Sequence, residues 1–253
     1  MTVVAFDTSS IVLSVSLAWR DEKRGPQSIH KVLDIGLYHG EFLAQTVSEL
    51  LSSAGKSMEH VDLVACTEGP GSFTGLRIGM ATAKGFAAAG GIPFRAVPTL
   101  DVWADVYSWW PGVCVPVIDA KKQRFYGAVY AGGRRISPDL DAAPEVILQH
   151  ARSLGGADSV SEAEQGAAQA ASLPLLVTGP DAERFGNACE PESWAPPDYA
   201  EPLCTQAAHT FTSAALARLA EQRFQEHGPS QTSSGPRYVR KSDAEIGREL
   251  RGD

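Results

Sequence analysis

The stretch VVAFDTSSIVLSVSLA (Val3–Ala18) alternates apolar and polar residues around a single break. VVAF (Val3–Phe6) reads as a strand, Asp7-Thr8-Ser9-Ser10 as a turn, and Ile11–Ala18 as a second strand of period two. Asp, Thr and Ser suit the turn because their short side chains hydrogen-bond nearby backbone groups. The plan returns in VPVIDAKKQRFYGAVY (Val115–Tyr130), again an apolar strand ending in an acid, a polar turn and a second strand. A hairpin opening each half, with Asp7 and Asp119 closing the first strands, is the pattern of a duplicated α/β unit. Two unrelated hairpins would give the same pattern, so on these residues alone both readings stay open.

Outward from the hairpins, a polar loop Arg20–Gln27 leads to a third strand. Leu43, Val47, Leu50 and Leu51 recur at helical spacing within Glu41–Ser53, which Gly55 ends, and Val61–Cys66 is a short buried strand. In the second half, Leu173–Thr178 reads as a strand and the Pro-rich Pro191–Pro202 as loop. Thr205 caps a helix running to about Phe224, with Phe211, Ala215, Leu219 and Ala220 inward. Gly155–Ser172 has the composition of a solvated excursion or a loosely packed helix. Gly228–Pro236 is linker-like, and PRYVRKSDAEI (Pro236–Ile246) begins extended.

Composition bounds the function. The 253 residues suffice for one large domain or two small ones. With 30 acidic against 22 basic residues the net charge is −8, which disfavours an independent grip on nucleic-acid backbone unless basic residues such as Arg237, Arg240 and Lys241 cluster in space. No apolar run approaches the roughly 18 residues of a membrane span. The opening MTVVAFDTSS lacks the basic start of a signal peptide, so a cytoplasmic location is expected. Cys66, Cys114, Cys189 and Cys204 are scattered, and no HExxH or HxxxH is present; four residues beyond His39 stands Leu43. A protein-built metal site is not expected.

The segment EGPGSFTGLRIGMATAKGFA (Glu68–Ala87) passes from a strand through a Gly-Pro-Gly turn into a helix that starts near Ser72. A glycine turn before a helix is how many proteins offer backbone N–H groups to phosphate. Here, though, Gly85 follows Lys84 where a phosphate loop needs Ser or Thr, and GxGxxG is missing. Instead Gly71, Gly75, Gly79, Ala83 and Ala87 recur every fourth residue and draw one bare ridge along the helix. Glycine within a helix costs roughly 1 kcal/mol against alanine, so propensity does not explain the ridge. Close approach by another element does: the protein's own sheet or a partner helix.

Arg77 stands in an otherwise small and apolar run and calls for an acceptor, such as Glu68 or an Asp at a strand end. Asp7, Thr8 and Ser9 suit either an ordinary turn or contacts to a metal-bound phosphate. The second use would need Asp119 across the same cleft and a late glycine loop, for which Gly179-Pro180 is the only match. No nucleophile–base arrangement can be argued from spacing.

FDTSS (Phe6–Ser10), GPGSFTGLRIGMATAKGFA (Gly69–Ala87), VIDAKKQRFYGAVY (Val117–Tyr130) and PRYVRKSDAE (Pro236–Glu245) resemble the TsaB family, also called YeaZ. The resemblance implies an actin/Hsp70/sugar-kinase-like (ASKHA) α/β fold of two related subdomains. We expect these over 1–108, with the dimerisation helices, and 109–253, whose last helix or tail packs back on the first. It also implies a role in placing threonylcarbamoyl on N6 of adenosine 37 in tRNAs reading ANN codons. In that pathway a paralogue, TsaD, carries the metal-binding HxxxH and performs the transfer. TsaB is its non-catalytic partner, and the ATPase TsaE joins them. Leu43 fits the non-catalytic member, and metalloprotease activity is not expected.

Family members also dimerise through their first two helices, which favours the partner reading of the ridge. The expected partner or homodimer interface is thus Gly71, Gly75, Gly79 and Ala83 with Leu43, Val47 and Leu50. The resemblance implies no cofactor of the chain's own. ATP or ADP with Mg at an interface shared with TsaD stays open, with Asp7, Thr8, Ser9, Arg77 and Asp119 as contacts, and tRNA is touched only indirectly. The alternative is an actin-like kinase or ATPase acting alone.

Overall fold

The computed structural model describes residues 1–155, 173–189, 199–200 and 206–239. Strands β1 (Val3–Asp7), β2 (Val12–Asp21) and β3 (Gly25–Asp34) form an antiparallel meander, followed by helix α1 (His39–Ser53). Next come β4 (Leu63–Gly69), α2 (Phe73–Gly90), β5 (Phe94–Pro98) and α3 (Thr99–Val106). The first sheet has the order β3-β2-β1-β4-β5, with β4 parallel to both neighbours. The alternation that predicts β2 continues to Asp21, so the expected polar loop shrinks to residues 22–24.

The second half repeats this plan. Strands β6 (Val113–Lys121) and β7 (Arg124–Gly127) make the hairpin, and β8 (Tyr130–Ala131) and β9 (Arg134–Arg135) add a short side ribbon. Then follow β10 (Leu140–Ala142), α4 (Pro144–Leu154), β11 (Leu175–Thr178), α5 (Ala182–Ala188), β12 (Tyr199–Ala200) and α6 (Gln206–His227). The main path of this sheet is β10-β7-β6-β11-β12. Strand for strand it is the first order again, with β6 in the place of β1 and β11 in the place of β4. The Pro191–Pro202 stretch expected as loop contains β12. Thr205, Cys204 and all but the first residue of Gly155–Ser172 lie outside the described residues.

Strand patterning explains the layers. Successive side chains of a strand point to opposite faces. Val4 and Phe6 of β1, with Val64 and Cys66 of β4, face α1 and α2, while Val3, Ala5, Leu63 and Ala65 face α6. β1 is covered on both sides, which is why all five of its residues are buried and its central ones are apolar. In β6, Val113, Val115 and Val117 meet α4 and α5, whereas Cys114 and Ile118 meet α3 through Leu100 and Trp103. The stack therefore runs α1/α2, first sheet, α6 with α3, second sheet, α4/α5. Each fully buried Leu, Val or Phe in these clusters contributes roughly 1.5–3 kcal/mol.

On α6 the inward residues differ from the expected set. Leu216, Ala217 and Ala220 are buried, but Phe211 is 58% exposed. The helix turns Thr212 and Ser213 inward instead because Ser213 is bonded to β2: Ser14 Oγ donates to its Oγ at 2.8 Å and Ser16 Oγ to its carbonyl at 2.8 Å. Among the described residues no helix is long and apolar enough to cross a membrane.

Candidate functional site

The β1–β2 turn is held from three sides. Asp7 is buried, and its Oδ1 accepts from Ser9 N–H (2.9 Å) and from the Thr67 hydroxyl on β4 (3.0 Å). The Gly-Pro-Gly turn reaches across as well, Ser72 N–H donating to Ser9 O at 2.7 Å. Ser72 then caps α2, its Oγ accepting from Gly75 N–H at 3.3 Å.

The ridge of small residues faces this turn. A Cβ on Gly71 would lie 2.6 Å from Ser9 O, one on Gly75 2.0 Å from Thr8 O, and one on Gly79 2.3 Å from Thr8 Oγ1. Ala83 is fully buried, as are Leu43, Val47 and Leu50 of α1, all within one core cluster. This corrects the interface expected from the sequence. Six of the seven residues assigned to it are buried inside the chain and Gly71 is half-buried against Ser9, and the glycines let the hairpin turn press onto α2.

Around the turn, Thr8 Oγ1, Ser9 Oγ and His39 Nε2 are buried with no hydrogen-bond partner among the described residues. Burial pushes His39 below the usual imidazole range, against the pull of Asp7. His209, near the start of α6, packs edge-on to Trp103 with ring centroids 4.9 Å apart. It too is pushed down by burial, against Asp7 and Asp34 of the first half and Asp181 of the second.

Asp119, the counterpart of Asp7, differs in chemistry. Its Oδ2 pairs with Lys121 Nζ (2.7 Å) and Arg184 Nη1 (3.0 Å), and its N–H donates to Asp181 Oδ2 at 2.8 Å. Burial acts to raise its pKa, but Lys121 and Arg184 hold the carboxyl below the usual range. Burial moves Asp181 upward. Asp7, by contrast, has no ion pair among the described residues. A metal-bound phosphate thus fits the Asp7 turn better than the Asp119 turn. The late glycine is a packing residue: a Cβ on Gly179 would fall 2.2 Å from Val117 O.

Arg77 does not take the expected carboxylate. Its guanidinium carbon lies 3.9 Å from the Phe73 ring centroid and its Nε donates to Tyr238 Oη at 3.0 Å, while Tyr238 stacks on Phe73 at 5.2 Å. The tail reaches that point because Arg237 N–H donates to Glu68 O (2.6 Å) and Arg237 Nη2 pairs with Asp139 (2.7 Å). Arg240 and Lys241 lie outside the described residues. The outward side of α1 and its approach leave Leu37 (69%), Tyr38 (63%) and Phe42 (39%) exposed, while Gly40 of α1 packs toward Ile78 of α2. Sequence reasoning misses this face because it searches for helical periodicity, and these residues stand off the buried stripe.

The comparisons follow this geometry. The family model for TsaD, tRNA N6-adenosine threonylcarbamoyltransferase, matches residues 36–248. The Escherichia coli tRNA threonylcarbamoyladenosine biosynthesis protein TsaB is 30% identical over 164 residues, 62% of this chain and 68% of that protein. The chain belongs to the TsaD-type family and, within it, to the TsaB (YeaZ) proteins. The Bacillus subtilis TsaB is 28% identical over 130 residues, covering 51% of this chain and 55% of its own length. YeaZ from Pseudomonas aeruginosa superposes with a TM-score of 0.67 at 24% identity, over 94% of this chain and 99% of that one. With the repeated strand order, this shows the actin-like ASKHA fold. In this TsaB-family chain the HxxxH position held by Leu43 is a core position, 1% exposed, so residue 43 packs and does not ligate. Among the described residues no cluster of His, Cys, Asp or Glu suited to a metal occurs.

Proposed function

We propose that this chain serves tRNA threonylcarbamoyladenosine biosynthesis as a non-catalytic subunit that docks a TsaD-like paralogue, with a TsaE-like ATPase joining the pair. The observation that carries the reading is the group of exposed large apolar side chains at the start of α1 and its approach, Leu37, Tyr38 and Phe42. Contiguous exposed apolar side chains mark interaction surfaces. Membership in a family whose relatives bear the biosynthesis name supports a TsaD-like partner. The same face would serve a homodimer when the paralogue is absent, so the two assemblies compete. Charge of −8 keeps tRNA contact indirect.

The test is reconstitution: transfer of threonylcarbamoyl from threonylcarbamoyl adenylate to tRNA, with release of AMP, by the TsaD-like and TsaE-like proteins, with and without this chain. The reading expects product only when the chain is present. Product formed equally well without it would overturn the reading.

A second reading has its own observation: among the described residues the buried Thr8 and Ser9 hydroxyls have no hydrogen-bond partner and the neighbouring Asp7 has no ion pair. In it Asp7, Thr8 and Ser9 would hold the magnesium-bound phosphates of ATP, which supplies a transferable phosphoryl group. Calorimetry of the isolated chain with Mg-ATP separates the readings: tight binding lost in Asp7→Ala favours an enzyme acting alone.

A further inference from the structure

After α6 ends at His227, residues 228–239 run along the outside of the first half without helix or strand. Arg95 Nη1 donates to Gly228 O at 2.9 Å. Ser230 N–H donates to Phe94 O of β5 (2.9 Å), and Ser230 Oγ accepts from Ala96 N–H (3.0 Å). Lys84 of α2 donates to Ser234 O. Arg237 N–H donates to Glu68 O at the end of β4 (2.6 Å), and Tyr238 lies on Phe73 and accepts from Arg77. None of the residues 228–239 is buried. A segment held by a few bonds, with no side chain sunk in a core, belongs to the least stable part of a fold.

All of these partners belong to the first half. One bond goes elsewhere: Arg237 Nη2 lies 2.7 Å from Asp139 Oδ2, in the second half just before β10. Among the described residues it is the only hydrogen bond or ion pair from this segment to the second half. The Asp139 side chain is 7% exposed and also takes Arg135 of its own half. So little water around a carboxylate strengthens its pull on a guanidinium. Glu68, half-buried on the first half, attracts Arg237 as well. Arg237 is therefore fixed by its backbone to one half and by its side chain to the other.

We propose that residues 228–239 are a strap that latches the first half to the second through the Arg237–Asp139 pair. Release of the pair lets the halves rotate against each other about the layer of α3 and α6, which stays packed between the sheets. The Arg237 side chain is 46% exposed, so salt reaches the pair and loosens the latch. Arg135 remains on Asp139 when Arg237 leaves, so opening strands no buried charge. The inference is independent of the partner role above and of the Asp7 turn.

The test is a pulsed electron-spin distance measurement on the full chain, between nitroxides at Ile11→Cys in the first half and Glu183→Cys in the second, both exposed positions. Cys189 and Cys204 are changed to serine, and Cys66 and Cys114 are buried and stay unlabelled. At low salt the doubly labelled chain gives one narrow distance. Adding Arg237→Ala raises the population at other distances by about threefold or more, the order of a partly exposed ion pair. Arg237→Lys, which keeps the charge and loses the fork, falls between. Sodium chloride at about 1 M moves the Arg237 chain toward the Arg237→Ala profile and leaves Arg237→Ala as it was. A strap that only decorates the first half would come loose without moving either label. The proposal is overturned if Arg237→Ala leaves the distance distribution unchanged, or if salt broadens it equally with and without Arg237.

Discussion

Thr8 and Gly79 contend for one space: a Cβ at position 79 would lie 2.3 Å from Thr8 Oγ1, and the Cβ of a residue at 75 would lie 2.0 Å from the Thr8 carbonyl oxygen. The two clashes differ in kind. At 79 the obstacle is a side-chain hydroxyl, and at 75 it is backbone. Gly75→Ala is expected to destabilise by about 3 kcal/mol or more, since overpacking a fixed backbone leaves no cheap relaxation. Gly79→Ala costs less, because the Thr8 side chain can turn aside where its carbonyl cannot, while both variants regain roughly 1 kcal/mol of helix propensity. Thr8→Ala combined with Gly79→Ala should recover most of that loss. Chemical denaturation of the four variants, read as a double-mutant cycle for the 8/79 pair, checks this; additive effects would mean the two residues do not share that space.

The Thr67 hydroxyl braces the carboxylate that organises the turn. Thr67→Val keeps the shape and removes a bond to a charged acceptor, so a loss of about 1.5–3 kcal/mol is expected. Urea unfolding midpoints measure it. An unchanged midpoint would show that Ser9 N–H alone holds Asp7.

Asp101 joins the halves. Its carboxylate takes Arg223 from α6, Arg135 from the second half and the Tyr130 hydroxyl. Asp101→Ala leaves these groups facing one another in a largely buried site, and a loss of about 3 kcal/mol is expected. Asp101→Asn should fall between this variant and the parent. Thermal unfolding by calorimetry reads the effect, and equal stability of all three proteins would remove the network from the account.

Acid should weaken the fold through its buried histidines. Burial holds His39 and His209 below the ordinary imidazole range. The unfolded chain then takes up protons first, so their contribution is intact above about pH 6.5 and is lost as pH falls from there toward the folded-state values. Glu68 and Asp181 are raised by burial and act with the opposite sign, over a window that runs from about pH 4 up through their raised folded-state values, so the histidine contribution is read from the difference between parent and variant. Melting temperatures should therefore drop between about pH 7 and about pH 5.5, and His39→Gln should flatten the drop. An equal slope in parent and variant would contradict the assignment to His39.

Much of the fold is legible in the residues. Alternation around Asp7 and Asp119 gives both hairpins, Ser72 marks the start of α2, and Leu43, Val47, Leu50 and Leu51 mark the buried side of α1. The layers between the sheets are not. α3 is only eight residues long, about two turns and too short for a helical period to stand out in the sequence, and the polar bonds of Ser213 rotate α6 away from the face its apolar residues suggest. The site is legible at Asp7-Thr8-Ser9 and misassigned at the ridge. A row of small residues states that something comes close but not what, and here it is the chain's own turn. The exposed face leaves only Leu37, Tyr38 and Phe42 as a trace, unpatterned residues around the start of a helix.

The central claim is that the outer face of α1 and its approach, not the glycine ridge, docks the TsaD-like paralogue. The most direct measurement is the affinity of that paralogue for Leu37→Asp and Phe42→Asp, two exposed positions whose replacement leaves the core intact. The account predicts a loss of about thirtyfold or more for at least one of them, the size expected at the centre of an interface, with unfolding midpoints unchanged. Parent-like affinity in both variants would contradict it.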